Sequence, residues 1–158
     1  MAVDYADPAR RFDWDYYGRE LAALRQPGET LRIEPGRALT VYCGWYLTDV
    51  LDVKNTHGHW YAVLRGGTMH LRTPVTRRHN QPFTIIPQQS AGPRVDGKPV
   101  TLVGQLCTPK DVFASSVPVQ HVQAGDIIAF AMAGAYAWNI SHHEFLMHPR
   151  PTFHYLNK

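Results

Sequence analysis

Two cysteines, four lysines and no long apolar run are what this 158-residue chain has least of, and each scarcity excludes something. Cys43 and Cys107 lie far apart, and neither belongs to a Cys-x-x-Cys pair. A disulfide framework and a structural zinc site are both set aside, and a reducing, cytoplasmic setting is expected. No apolar stretch approaches the roughly 18 residues that span a bilayer. The opening MAVDYADPARRFDWD has neither the basic start nor the apolar middle of an export signal. Sixteen Lys and Arg face thirteen Asp and Glu, and no basic run exceeds two residues, so the net charge of +3 is small and scattered. Nucleic acid and membrane are therefore not expected as partners.

What is present reads as one compact unit, because a chain of this length buries roughly 70% of the surface its unfolded form exposes. Trp14, Tyr17, Leu21 and Leu24 recur every three or four residues, and Pro27-Gly28 stops the pattern. That spacing predicts an amphipathic helix over Trp14 to Arg25. Beyond residue 30 the pattern changes to short β-type runs: LRIE, ALTVYCGWYLTDVLDV, HWYAVLR, FTIIP, VTLVGQL, DIIAFAMAGAYAW and PTFHYL. Gln88 to Pro99 is the most loop-like stretch. The expectation is a mainly β (α+β) fold, a closed or half-closed barrel or sandwich carrying one N-terminal helix.

Four short motifs follow one another along the chain. Glu34-Pro35-Gly36-Arg37 comes first, a segment that composition alone would make a polar turn. Gly104-Gln105-Leu106-Cys107-Thr108-Pro109-Lys110-Asp111 is next, then Gly125-Asp126 opening an apolar strand, then Gly134-Ala135-Tyr136. In this order they resemble the C-terminal part of the pyridoxal-phosphate (PLP) dependent decarboxylases of diaminopimelate, ornithine and arginine, enzymes of the alanine-racemase-like fold type. The tail His142-His143-Glu144-Phe145-Leu146-Met147-His148-Pro149-Arg150-Pro151 further resembles the branch that acts in siderophore biosynthesis. The resemblance implies that residues 1–37 are a remnant of a truncated TIM-type barrel and that 38–158 form the C-terminal β-domain.

It also implies PLP as cofactor and assigns roles. A carboxylate beside the pyridine nitrogen keeps that nitrogen protonated so that the ring can accept electrons; Glu34 is the match. Arg37 would reach the phosphate or a substrate carboxylate, and Tyr136 matches the tyrosine that contacts the phosphate. After carbon dioxide leaves, Cα must regain a proton, and a thiol of ordinary pKa near ~8.5 is a competent donor; Cys107 fills that role. In the family this loop reaches into the other subunit's site, which implies a homodimer. Cys43 reads as an inert, buried small hydrophobe. Asp111 either meets the substrate or orders the loop.

The substrate is expected to be small and amino-acid-like. Arg72 matches roughly an arginine that holds substrate carboxylate in diaminopimelate decarboxylases, although here it reads Arg72-Thr73-Pro74-Val75-Thr76 without the tyrosine those enzymes carry. Thr108 stands where they have an acid that grips the distal amine. A neutral hydroxyl does not pair with an ammonium group as a carboxylate does, which points to a distal end that is not a plain amine, such as a citrate-conjugated diamino acid. None of Lys54, Lys98, Lys110 and Lys158 sits where the family's Schiff-base lysine does, so the chain is expected to be catalytically silent alone. Two other readings compete: a non-catalytic β dimerisation module, and a cupin-like metal barrel in which His57 and His59 share one strand face. The second lacks the glutamate such a motif needs, and no metal is expected.

Overall fold

The computed structural model describes residues 3–156. Helix α1, Trp14–Leu24, is capped by the Asp13 carboxylate, which accepts from the Tyr16 amide at 2.7 Å. It agrees with the predicted helix to within a residue, yet it buries no side chain. The short α2, Arg37–Thr40, runs into a 3-10 turn, Val41–Cys43. Strands β1 (Tyr46–Thr56) and β2 (His59–Leu64) form a hairpin, followed by the one-turn α3, Thr73–Arg77. Then come β3 (Phe83–Ile86), β4 (Arg94–Val103), β5 (Val112–Gln123) and β6 (Ile127–Phe130).

The six strands lie in the order β3-β6-β1-β2-β4-β5, antiparallel except for the parallel pair β2 and β4. The sheet curls until its two edges meet: the Gln81 amide, just before β3, donates to the Phe113 carbonyl on β5 at 2.8 Å, and Asn80 exchanges hydrogen bonds with Ser115. The expected β-barrel is therefore present, nearly closed. Phe113, Phe130, Leu64, Leu71, Leu102 and Ile128 are fully buried inside it, with Phe113 and Phe130 stacked at 4.7 Å. Each such side chain contributes roughly 1.5–3 kcal/mol on burial.

Several predicted strands are not strands. LRIE is exposed and unpaired, so the EPGR motif follows irregular chain rather than a strand. ALTVYC turns helical and lays Val41 across the barrel end against Tyr5 and Met132. A short apolar run cannot be told helix from strand by pattern alone. GAYAW is a turn with Tyr136 at φ 57, and PTFHYL is irregular and unpaired. Conversely β5, at 12 residues the longest strand, went unpredicted, and β4 begins at Arg94 inside the expected loop. Prolines explain both: Pro99 and Pro118 sit opposite each other, where β4 has not yet reached its pairing with β2 and β5 is an edge. His57 lies in the β1–β2 turn at φ 51, so His57 and His59 do not share a strand face.

One consequence of the topology matters for the site. The start of β1, the ends of β2, β4 and β6, and the starts of β3 and β5 all fall at one mouth of the barrel, as the pairs Tyr46–Phe130, Phe83–Phe130, Val63–Val103 and Val103–Val112 require. Segments 36–45, 65–82, 104–111 and 131–150 are thereby gathered there.

Candidate active site

The EPGR and GAY motifs, distant in sequence, are in contact at this mouth. The Arg37 guanidinium stacks over the Tyr136 ring at 4.7 Å from its centroid and donates to the Tyr5 hydroxyl at 2.6 Å. A Cβ on Gly36 would stand 2.2 Å from the Tyr136 hydroxyl, so only glycine admits this approach. Gly134 is held the same way, its amide donating to the Val41 carbonyl at 3.0 Å while a Cβ would strike the Thr40 carbonyl. The Tyr136 carbonyl accepts from the Thr73 hydroxyl at 2.7 Å, which ties GAY to the start of α3. Glu34 is exposed, and its side chain bonds to no described residue.

Tyr5 joins this half without any sequence signal. It stacks on His79 at 3.8 Å, and burial pushes its phenol up, opposed by the charge of Arg37. Burial likewise pushes His79 down, helped by the charges of Arg37 and Arg77. The result is a half-site whose fixed charge is positive.

The second half is the loop carrying Cys107. Asp111, 2% exposed, accepts from the Leu106 amide at 2.8 Å with one carboxylate oxygen and from the Thr68 amide at 2.6 Å with the other. Its own carbonyl accepts from Gly104 at 2.9 Å and its amide donates to Thr108 at 3.1 Å. Gly67 and Gly104 both press on the carboxylate, where a Cβ would come within 2.7 and 2.2 Å. Cys107 is thus presented on a braced turn with its side chain exposed, and Thr108 follows half-buried. Both oxygens of Asp111 are occupied by backbone, the loop-ordering arrangement. Cys43 is also exposed, donating to the Thr40 carbonyl at 2.9 Å, so the expectation that it is buried is corrected.

The tail closes the mouth on one side. His70 Nε2 meets the Pro149 carbonyl at 2.8 Å and His70 Nδ1 meets the Tyr46 hydroxyl at 2.9 Å. A carbonyl only accepts, so Nε2 carries the proton and Tyr46 donates to Nδ1. Burial pushes His70 down and holds the Tyr46 phenol protonated above its ordinary range. Trp138 stacks on His143 at 3.6 Å and meets Phe153 edge-on at 5.7 Å. Gly66, next to the Gly67 that presses on Asp111, faces the Tyr46 hydroxyl and His70 Nδ1, which would both clash with a Cβ there. Arg72, directly before α3, acts on His142. Sequence reading singled out neither His70 nor Tyr46, because their pairing spans 24 residues and follows no motif.

Among the described residues no group of three or more His, Cys, Asp and Glu side chains is placed to hold a metal ion, and no helix is long and apolar enough to cross a membrane.

Comparison with known proteins bears on the fold and the family. The chain is 46% identical over its whole length to 2-[(L-alanin-3-ylcarbamoyl)methyl]-2-hydroxybutanedioate decarboxylase of Staphylococcus aureus (strain NCTC 8325 / PS 47), and spans 42% of that protein. It is 30% identical to a diaminopimelate decarboxylase of Bacteroides thetaiotaomicron, with 86% of this chain and 35% of the relative aligned. The fold matches that of diaminopimelate decarboxylase from Helicobacter pylori complexed with L-lysine, with a TM-score of 0.69 at 23% identity over 84% of this chain and 32% of that one. The chain thus spans less than half the length of these relatives. Residues 12–134 match the family described as pyridoxal-dependent decarboxylase, C-terminal sheet domain, and the chain belongs to that family.

Proposed function

We propose that this chain is the C-terminal, site-bearing part of a PLP-dependent carboxy-lyase that removes the α-carboxyl of an amino-acid substrate. The observation that carries this reading is the contact of Arg37 with Tyr136 at the same mouth of the barrel from which the braced, exposed Cys107 turn emerges. The donor set fits a phosphate-bearing cofactor: a guanidinium and a phenol in contact, and a Tyr136 hydroxyl that bonds to no described residue. Arg37 and Tyr136 would hold the phosphate, and Glu34 would sit at the pyridine nitrogen. Bound PLP supplies the electron sink that lets the Cα–carboxylate bond break. Cys107 holds the proton that Cα takes up afterwards, and Asp111 keeps the thiol where the turn presents it.

In this reading two subunits share each site, with Cys107 delivered to the partner's half, and residues 1–37 belong to a barrel that the chain carries only in part. The uncovered α1, whose Trp14, Tyr16 and Leu24 are exposed, supports that division. The chain alone is then silent, for want of the Schiff-base lysine. The substrate is placed with that of the S. aureus relative, a diamino acid amide-linked to a hydroxy-polycarboxylate, because Thr108 offers no charge for a distal amine. The test is a chimaera in which this chain replaces the matching C-terminal part of the S. aureus protein. Release of carbon dioxide from the citryl conjugate, with little from diaminopimelate, is the expected result. A folded, PLP-loaded chimaera that decarboxylates neither would refute the reading.

A further inference from the structure

We infer that Tyr5 is a positioning residue for Arg37: carried by His79 and Gln81, it holds the guanidinium beside Tyr136 so that the remaining donors are free to meet a phosphate. The inference rests on the decarboxylase reading above and adds to it three residues that no motif marks. Tyr5 lies before residue 12, where the family match begins. The contacts make one continuous strut. Arg37 Nη1 donates to the Tyr5 hydroxyl at 2.6 Å, and the Tyr5 ring lies flat on His79, 3.8 Å between centroids and 14° between planes. His79 Nε2 meets the Gln81 side-chain oxygen at 3.0 Å. The Gln81 side-chain amide donates in turn to the Ala131 carbonyl at 2.6 Å and the Met132 carbonyl at 3.3 Å, which turns its oxygen toward His79 and puts the proton on Nε2. Gln81 is 1% exposed, and its backbone amide donates to the Phe113 carbonyl across the seam where the sheet edges meet.

The chemistry of the strut suits a cation that must stay uncancelled. Arg37 is half-buried, yet no carboxylate pairs with it among the described residues. Its described partners are a neutral hydroxyl and an aromatic face. A carboxylate in place of Tyr5 would orient the guanidinium too, but it would neutralise the charge that draws an anion. A phenol orients without neutralising, and burial pushes the Tyr5 phenol up, so it keeps its proton. A guanidinium carries five N–H donors in one rigid plane, and the Tyr5 bond occupies one of them. A free arginine side chain gives up much rotamer freedom when it meets a ligand. Pinned between Tyr5 and Tyr136, Arg37 has little left to give up. Because the strut ends at the seam, closure of the barrel sets the place of the cation, and the exposed, unpaired chain leading into EPGR does not have to.

The experiment is a titration of the intact 158-residue chain with inorganic phosphate, followed by the guanidinium N–H signals of Arg37 and the ring signals of Tyr136. Phosphate should move both in a saturable way, and sodium chloride at matched ionic strength should not. Tyr5→Phe keeps the ring on His79 and removes only the hydroxyl. It should weaken phosphate binding by roughly three- to tenfold, the effect of having to order one freed, rotamer-rich side chain. The Arg37 N–H signals of this variant should average together until saturating phosphate separates them again. A hydroxyl that merely supports the fold would give no such restoration. Should Tyr5→Phe fail to fold, His79→Phe, which keeps a flat ring but drops the Gln81 bond, decides by the same two readouts. Phosphate that leaves Arg37 unmoved in the wild type, that binds the variant as it binds the wild type, or that binds it more weakly without the restoration overturns the inference. Because the readout is phosphate on this chain and not release of carbon dioxide, its failure leaves the decarboxylase reading standing, and an inactive chimaera does not alter its outcome.

Discussion

The two ends of the barrel solve the same mechanical problem with the same residue type, and differ in what they do with the result. At the mouth, Asp111 spends both oxygens on the amides of Leu106 and Thr68. At the opposite end, Asp126, fully buried, accepts from the amides of Gln88 and Gln123 at 2.9 Å each. Each carboxylate ties two loops that the sheet alone would leave apart. The far end then closes in tight turns, such as His57-Gly58, where the Asn55 side chain accepts from the Gly58 amide at 3.2 Å. The mouth instead spreads into longer crossings that carry Arg37, Cys107, Tyr136 and His142. A buried aspartate is thus a general loop brace in this fold, and function comes from what the braced loop presents.

Substitutions break this comparison most sharply where chemistry is concerned. Cys107→Ala should lower turnover of the chimaera by roughly 10²–10⁴-fold with no change in thermal stability, since the thiol is exposed; carbon dioxide release and a melting curve on the same sample check it. Asp111→Asn and Asp126→Asn should each destabilise the chain by roughly 1–3 kcal/mol, the cost of a damaged buried acceptor pair, read by urea unfolding. Only Asp111→Asn should also change the rate at which Cys107 is alkylated, and equal effects from both variants would erase the distinction between the ends.

A smaller effect distinguishes the ends by pH. Burial lowers His70, His79 and His142 at the mouth. Their folded pKa values lie below the ordinary ~6.5, so the unfolded chain binds more protons as the pH falls past that value. Stability from these groups is complete above pH ~6.5 and drains below it. His121, at the far end, instead bonds the Asp96 carboxylate at 2.7 Å and holds it low, an exposed pair that softens little. Hydrogen exchange at pH 7 and pH 5 should show the mouth loosening first. Asn55→Ala should cost least, about 0.5 kcal/mol, with no effect on activity.

Much of this was legible in the sequence where a motif or a period recorded it. Helix α1 was, because its spacing and its Pro27-Gly28 stop are local. So was the family, because four ordered motifs carry it. The strand map suffered where side chains do not report pairing: Pro118 hid β5, and the apolar ALTVYC run hid a helical crossing. Cys43 was misread as buried for the same reason, since burial there depends on how that crossing lies. The pairs Tyr46–His70 and Arg37–Tyr5 exist only once the sheet has curled. Asp111 had two readings in sequence, and its two backbone hydrogen bonds support the loop-ordering one.

The central claim is that the mouth is half of a shared site, with Cys107 serving the partner subunit. Its most direct test is co-expression of two inactive chimaeras, one carrying Cys107→Ala and the other lacking the barrel's Schiff-base lysine. The account predicts that activity reappears in the mixed dimers, where one site regains both groups. Persistent inactivity, with mixed dimers demonstrated by mass spectrometry, would contradict it.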